Sequence, residues 1–229
     1  LAPALACGNT VVLKPASYTP LSALWLGRAA SEVGIPEGVL NVLTGPGGVA
    51  GDALSSHPGV AKISFTGSTE VGARISKSAA DTIKRVSLEL GGKSPNVIFD
   101  DADLTACIER SAGSVFSNTG QDCCARSRAI VHRKIYDRFV EGVSKRAKAY
   151  VIGDPEDEKT ELGPMISVSQ RESVLEYVRV GKSEGARLVC GGEVPGGALA
   201  HGAYITPAVF ERATESMRVV REEIFGPVL

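Results

Sequence analysis

Cys123 is the thiol in this sequence whose surroundings best suit chemistry. It lies in FSNTGQDCC (116–124), where small and polar side chains precede it, whereas the cysteines outside this segment lie in more apolar stretches. A nucleophilic cysteine needs solvent access, a lowered pKa or a nearby base, and amide groups that stabilise an oxyanion. Sequence proximity provides none of these, so an ordinary packing cysteine is the alternative. We expect its neighbour Cys124 to point elsewhere and to serve packing.

Glu89 is the carboxylate whose position most suggests a role in catalysis. In VSLEL (86–90) it alternates with apolar residues, so a β-strand would place it with Ser87 on the opposite face, directly before Gly91 and Gly92. Partial burial in a cleft would raise its pKa and make it a general base near neutral pH. A solvated glutamate on a strand surface is the alternative.

Two glycine-containing segments have the composition of a phosphate-binding turn. GPGGVAG (45–51) lies between a predicted strand and a predicted helix, and FTGSTEVG (65–72) places small residues at a helix start. Helix amide groups and the positive end of the helix dipole favour a pyrophosphate there. A tight turn, or capping by Ser68 and Thr69, would explain them equally well. Lys14, at the end of the first predicted strand, either reaches a ribose or phosphate or points into water.

The elements that must position these residues alternate between strand and helix. Apolar runs bounded by Gly, Pro or Asn predict strands at 10–13, 39–43, 61–65, 85–90, 96–99 and 128–132. Helical spacing predicts helices at about 20–33, 48–56, 69–80, 134–149 and 169–184, and another from about 103. Thr19 is the expected cap of the first helix, with Pro20 at its first position. This alternation predicts parallel pairing in an open α/β sheet that binds ligands at the carboxyl ends of its strands.

Composition and charge exclude several classes of protein and partner. The 229 residues carry 25 Lys and Arg against 26 Asp and Glu, a formal net charge of −1, which offers no attraction for nucleic acid or an anionic membrane. No apolar stretch is long enough to span a bilayer. Five cysteines without C-x-x-C spacing predict neither a disulfide framework nor a zinc site, and the three isolated histidines predict no metal site. We therefore expect a cytoplasmic protein. The start without Met or a charged leader, and the end in mid-pattern, predict an internal piece of a longer protein.

Five segments together resemble the aldehyde dehydrogenase superfamily, of the NAD(P)-dependent hydrolytic type. GNTVVLKPA, FTGSTEVG, LELGGKSP, FSNTGQDCCA and EEIFGPV occur at the family's spacings along essentially the whole chain. LELGGKSP resembles the family's glutamate signature, and GQDC resembles its cysteine signature, G-[QE]-x-C. The resemblance implies an open parallel-sheet, Rossmann-like cofactor domain, present in part over 1–90. A second α/β catalytic domain would follow over 91–229.

The resemblance implies oxidation of an aldehyde to a carboxylate with NAD or NADP as cofactor. Cys123 would attack the carbonyl to form a thiohemiacetal and then a thioester, and Glu89 would activate the water that hydrolyses it. In the family a further oxyanion donor, an asparagine, lies upstream of this chain's first residue, so the isolated segment is expected to be inactive. The full-length protein is expected to be a homodimer or homotetramer that acts on a small-molecule aldehyde.

Cofactor contacts are also implied by the resemblance. Lys14 would contact the adenosine ribose, and Gly67 and Ser68 would contact the pyrophosphate. Gln170 would make a further ribose contact, Glu223 would contact the nicotinamide ribose, and Phe225 would lie beside the nicotinamide ring. Many NAD-preferring members have glutamate at the position of Ser17, where the carboxylate repels a 2′-phosphate. Serine removes that repulsion, so we expect NADP+ to be accepted.

Two rival functions keep the same fold. A CoA-acylating semialdehyde dehydrogenase would release the acyl group to CoA, but such enzymes typically lack the glutamate, so Glu89 favours hydrolysis. A non-catalytic scaffold protein would have no chemical reason to keep both Cys123 and Glu89. The substrate class stays open, although Asp122, beside the thiol, would favour a cationic aldehyde.

Overall fold

In the computed structural model, which describes all 229 residues, the strands pair two by two. Three of the pairs are parallel and the fourth is antiparallel. The chain divides into two compact units, Leu1–Leu90 and Gly91–Leu229. A mixed α/β fold with parallel strands is thus confirmed. The single open sheet is replaced by four separate two-stranded sheets.

The first unit contains two parallel strand pairs. Its strands are β1 (Val11–Leu13), β2 (Leu40–Val42), β3 (Lys62–Gly67) and β4 (Arg85–Leu90), and β1 pairs with β2 and β3 with β4. Its helices are α1 (Ala2–Ala6), α2 (Leu21–Glu32), α3 (Asp52–Ser56) and α4 (Thr69–Ala80). Helix α2 connects β1 to β2 and α4 connects β3 to β4, which gives each pair the strand–helix–strand connection that parallel strands require.

Two details of this unit differ from the expectation. Helix α2 is preceded by Pro20, which already has helical dihedral angles (φ −84°, ψ −19°), and no side chain caps the helix. The predicted cap at Thr19 is therefore wrong, because no side-chain oxygen accepts a hydrogen bond from the N–H groups at the start of the helix. The helix expected over 48–56 starts as a π-helical turn, Gly47–Gly51, and continues into α3.

The second unit contains one parallel and one antiparallel pair. Its strands are β5 (Pro95–Ile98), β6 (Arg128–Val131), β7 (Arg187–Cys190) and β8 (Val209–Glu211), and β5 pairs with β6 and β7 with β8. Its helices are α5 (Leu104–Phe116), α6 (Tyr136–Ala149), α7 (Val168–Ser183) and α8 (Arg218–Arg221). The antiparallel pair was not expected, because its strands are short and carry little periodicity. A cavity of about 420 Å³ lies between β6 and β8.

Local sequence signals account well for the longer helices that follow Gly67. On α6 and the turn before it, Ile135, Phe139, Val143 and Ala147 are between 1% and 8% exposed, so the predicted apolar face is confirmed. Helix α4 spans the predicted residues, and the N–H of Val71 donates to the Ser68 hydroxyl at its start. The apolar faces of α5 and α6 pack into one core around Phe116, and α7 packs into a second core around Val174.

No helix of the chain combines the length and the apolar character needed to cross a lipid bilayer.

Candidate active site

The loop that carries Cys123 reverses direction through three consecutive residues with left-handed backbone. Asn118 has φ 50°, Thr119 φ 55° and Gly120 φ 70°. At Gly120 a Cβ atom would overlap the carbonyl group of Gly226 and lie 2.5 Å from the nitrogen of Pro227. Only glycine fits this close approach of two backbone segments, so the loop is fixed against residues 226–227.

Side-chain hydrogen bonds hold the same loop in place. The buried Thr119 hydroxyl donates to the carbonyl oxygen of Gly163 at 3.0 Å, and the Gln121 side-chain oxygen accepts the N–H of Ile166 at 2.8 Å. Within the loop, the Asn118 amide donates to the carbonyl oxygen of Gln121 at 2.9 Å. The loop is therefore tied to the residues that precede α7 as well as to itself.

Cys123 is exposed at the tip of this loop, and Cys124 is exposed beside it. Their Sγ atoms are 3.8 Å apart, and the Asp122 Oδ1 accepts the N–H of Cys124 at 2.9 Å. A hydrogen bond with the Cys124 thiol, and then the charges of Cys124 and Asp122, raise the pKa of Cys123. The expectation that Cys124 packs away from its neighbour is wrong, because the turn closed by Asp122 brings both thiols together. Cys7 is exposed as well, although its sequence surroundings are apolar.

The segment 223–226 faces the cysteine loop. Phe225 has left-handed backbone (φ 54°), and the Gln170 side-chain N–H groups donate to its carbonyl oxygen at 3.0 Å and to that of Ile224 at 3.4 Å. The amide of Gln170 thus holds this segment, a contact that the sequence did not reveal. Residues of the segment and of the loop line one narrow recess, among them Gly120, Asp122 and Glu223.

Glu223 lies directly against the backbone of Gly91. A Cβ atom at Gly91 would overlap the Glu223 carboxylate, so a glycine is needed for the carboxylate to occupy this place. The Glu223 Oε1 and the Arg128 Nε are buried without a hydrogen-bond partner. Burial, and then the charge of Arg128, lower the pKa of Lys93 to about 8, while Glu223 opposes the shift. Sequence reasoning missed Lys93 and Arg128, although Lys93 lies in the LELGGKSP segment that drew attention to Glu89.

In the first unit, Lys14 and the two glycine-rich segments lie at or just beyond the carboxyl ends of strands. The Lys14 ammonium donates to the carbonyl oxygens of Pro15 at 2.6 Å and Gly45 at 3.3 Å, so it lies over the turn that begins at Gly45. At Gly67 a Cβ atom would lie 2.5 Å from the Phe65 ring. Glycine at 67, the last residue of β3, therefore leaves room for this ring. Helix α4 begins two residues later, and the amide groups at its start can attract an anion.

Glu89 and Ser17 are both exposed in this unit. The burial of β4 alternates along the strand, which confirms that Glu89 lies on the face opposite Val86, Leu88 and Leu90. Glu89 pairs in register with Thr66, the residue before Gly67, so it lies beside the strand end that leads into α4. Its exposure fits a solvated carboxylate and also a base that water can reach.

Comparison with known proteins gives consistent matches over the whole chain. The family model described as "Aldehyde dehydrogenase family" matches residues 1–229. The chain is 52% identical to retinal dehydrogenase 2 of Homo sapiens over 229 residues, which are 100% of this chain and 44% of that protein. The chain thus spans about half the length of the curated relatives it matches.

Two solved structures show the same fold. A betaine aldehyde dehydrogenase from Staphylococcus aureus, solved with NAD+, superposes with a TM-score of 0.97 at 40% identity, covering 100% of this chain and 45% of that one. Aldehyde dehydrogenase C from Pseudomonas syringae, a variant solved with NAD+ and octanal, superposes with a TM-score of 0.96 at 43% identity, covering 100% and 47%.

Proposed function

Since this chain belongs to the aldehyde dehydrogenase family, we propose that the full-length protein oxidises an aldehyde to a carboxylic acid with NAD+ or NADP+. The observation that carries the proposal is the exposed Cys123 thiol on a loop fixed by a glycine contact and by hydrogen bonds. The relatives are named for retinal and betaine aldehyde, and one was solved with octanal. An aldehyde is therefore the substrate class that we propose.

The residues of each unit suit a bound dinucleotide. In the first unit, the pyrophosphate would be held by Gly67, Ser68 and the N–H groups at the start of α4. The adenosine ribose would lie near Lys14 and Ser17. In unit 2, the buried Oε1 of Glu223 has no partner, and a ribose hydroxyl is a donor that would satisfy it. When bound, the dinucleotide would supply the hydride acceptor for the oxidation.

Cys123 would form the covalent bond to the carbonyl carbon of the aldehyde. Its sulfur would attack the carbonyl as the thiolate, forming a thiohemiacetal that becomes a thioester on oxidation. The N–H of the cysteine itself would stabilise the oxyanion. Because the nearby thiol and carboxylate raise its pKa, the thiol needs a base to become reactive.

Glu89 would act as the general base that activates water to hydrolyse the thioester. A carboxylate that water reaches can take a proton from it, and the register of β4 with β3 puts Glu89 beside the proposed pyrophosphate site. Gln170 and Phe225 would act with Glu223 at the nicotinamide end, Gln170 by holding the carbonyl groups of 224 and 225.

The two units would divide the work, with cofactor binding in 1–90 and thiol chemistry in 91–229. Five free cysteines suit a reducing compartment, and we place the protein in the cytoplasm. We propose a homodimer or homotetramer as the working assembly. A small net charge leaves nucleic acid outside the proposed set of partners.

The experiment is steady-state turnover of the full-length protein with octanal, retinal and betaine aldehyde, each with NAD+ and with NADP+. Cys123→Ser should abolish reduced cofactor formation, whereas Cys7→Ser, a matched change at another exposed thiol, should retain it. Glu89→Gln should give one burst of reduced cofactor and then a slow steady state, because the thioester persists. Turnover that survives Cys123→Ser would overturn the proposal, and a rate that requires CoA would favour the acylating alternative.

A further inference from the structure

We propose that Asp122, Cys123 and Cys124 form a binding site for a soft divalent cation, of which Zn2+ is the natural choice. The site includes the proposed nucleophile Cys123, but binding of a cation is a different use of this thiol and needs Cys124 and Asp122 as well. The carboxylate oxygen and the two Sγ atoms all lie within 4.8 Å of one another, and all three residues are exposed.

The spacing of the two sulfur atoms, which form a thiol hydrogen bond in the metal-free chain, also suits chelation of one metal ion. Two Zn–S bonds of about 2.3 Å, set at the tetrahedral angle of about 109°, place their sulfur atoms about 3.8 Å apart. The Sγ atoms of Cys123 and Cys124 are 3.8 Å apart. A disulfide would need about 2.05 Å between them. The thiols therefore have the separation of a metal chelate in the arrangement that the chain already adopts.

The carboxylate provides the third ligand. The Asp122 Oδ1 accepts the N–H of Cys124 at 2.9 Å, which holds the carboxylate over the turn beside both thiols. Two thiolates and one carboxylate make three protein ligands, and a tetrahedral zinc ion would then keep one position for water. The hydrogen bond to Cys124 plays the part of the outer contacts that orient metal ligands elsewhere.

The loop is held before any ion arrives. Gly120 lies against the backbone of 226–227, and Thr119 and Gln121 hydrogen-bond to the residues before α7. A site whose ligands are already ordered loses less conformational freedom on binding. The fixed conformation of the loop therefore favours binding of an ion by the three successive residues 122–124.

Binding exchanges protons for the metal. Each thiol loses one proton, two Zn–S bonds form, and two protons leave to solvent for each Zn2+ bound. The adjacent thiol and carboxylate, which disfavour a negative charge on Cys123 in the metal-free chain, become favourable once a dication lies among them. Thiolate ligands select Zn2+ and Cd2+ over Mg2+ and Ca2+. With its sulfur bound to metal, Cys123 is withdrawn from attack on an aldehyde, and this last consequence alone rests on the proposed function.

The experiment measures Zn2+ bound by the reduced full-length protein in equilibrium dialysis with metal analysis. It compares the parent with Cys124→Ser, Asp122→Asn and the matched control Cys7→Ser. The parent and Cys7→Ser should each bind one Zn2+ per chain that Cys124→Ser does not bind. Asp122→Asn should bind it at least about tenfold more weakly, because loss of an outer contact alone costs about that much and the Asp122 carboxylate is a direct ligand. Mg2+ at the same concentration should not compete.

A second readout follows alkylation of each cysteine by mass spectrometry, with and without Zn2+. Zn2+ should protect Cys123 and Cys124 together and leave Cys7 equally reactive. Equal Zn2+ binding by the parent and Cys124→Ser, or alkylation of Cys123 at an unchanged rate in saturating Zn2+, would overturn the proposal. Neither readout uses aldehyde turnover, so a protein that binds Zn2+ here but oxidises no aldehyde would retain this site and refute only the proposed function.

Discussion

Replacement of Gly120 by alanine is expected to destabilise the protein strongly, because the loop that carries Cys123 tolerates no side chain there. Gly120 has φ 70°, and left-handed backbone costs a residue with a Cβ atom about 1–2 kcal/mol. The added methyl group would also overlap the carbonyl of Gly226 and approach the Pro227 nitrogen to 2.5 Å. Overpacking of this kind costs about 1–3 kcal/mol, and backbone atoms cannot move aside as a side-chain end does. The two terms together give about 2–5 kcal/mol.

Gly113 provides the matched control. It lies in α5, has no atom within 4 Å of the position that a Cβ would take, and does not have a positive φ. Alanine there should stabilise the protein by about 0.5–1 kcal/mol, because glycine in a helix interior loses more backbone freedom on folding. The same substitution should therefore have opposite signs at two positions seven residues apart (120 − 113 = 7).

The assay is urea unfolding of the full-length parent, Gly120→Ala and Gly113→Ala, with free energies compared where the slopes against urea agree. Turnover should fall with Gly120→Ala even well below its unfolding midpoint, since the loop and the thiol are displaced. A loss of stability under about 0.5 kcal/mol, the size of an ordinary surface change, would refute the reasoning.

Three further predictions concern the proposed cofactor site and the buried lysine. Gly91→Ala should raise the KM for cofactor about tenfold or more, because the Glu223 carboxylate loses its place, yet change the free energy of unfolding little, since a flexible side-chain end gives way; an unchanged KM would speak against a cofactor role for Glu223. Ser17→Glu should lower kcat/KM with NADP+ about tenfold or more while sparing NAD+, because like charges repel; an unchanged ratio of the two values would remove this reasoning. Burial lowers the pKa of Lys93 to about 8 from 10.5. Between these pH values the unfolded chain binds a proton that the folded chain has lost, so the free energy of unfolding gains a contribution that rises with pH. Lys93→Met should remove that rise in urea unfolding measured from pH 8 to pH 10, and parallel curves for parent and variant would contradict the lowered pKa.

Local pattern predicts most of the helices and the orientation of single strands. The alternation in 85–90 places Glu89 on the exposed face of β4, and the fourfold spacing from Ile135 to Ala147 marks the buried face of α6. Ser68 caps α4 as its position before the helix suggests. These features depend on neighbours within a few residues, and periodicity and capping report such neighbours directly. The family signatures likewise occupy short segments, so the family was evident from the sequence.

Tertiary structure decided what those residues touch. The Cys123 and Cys124 thiols meet because Asp122 closes a turn on a loop that three left-handed residues reverse, a path that no periodic pattern encodes. Glu223 reaches the backbone of Gly91 from a segment 132 positions later in the chain (223 − 91 = 132). Residue types and their spacing thus determined the family, most of the helices and the candidate nucleophile. The contacts between distant segments depend on close packing of backbone against backbone, which is settled only when the whole chain has folded.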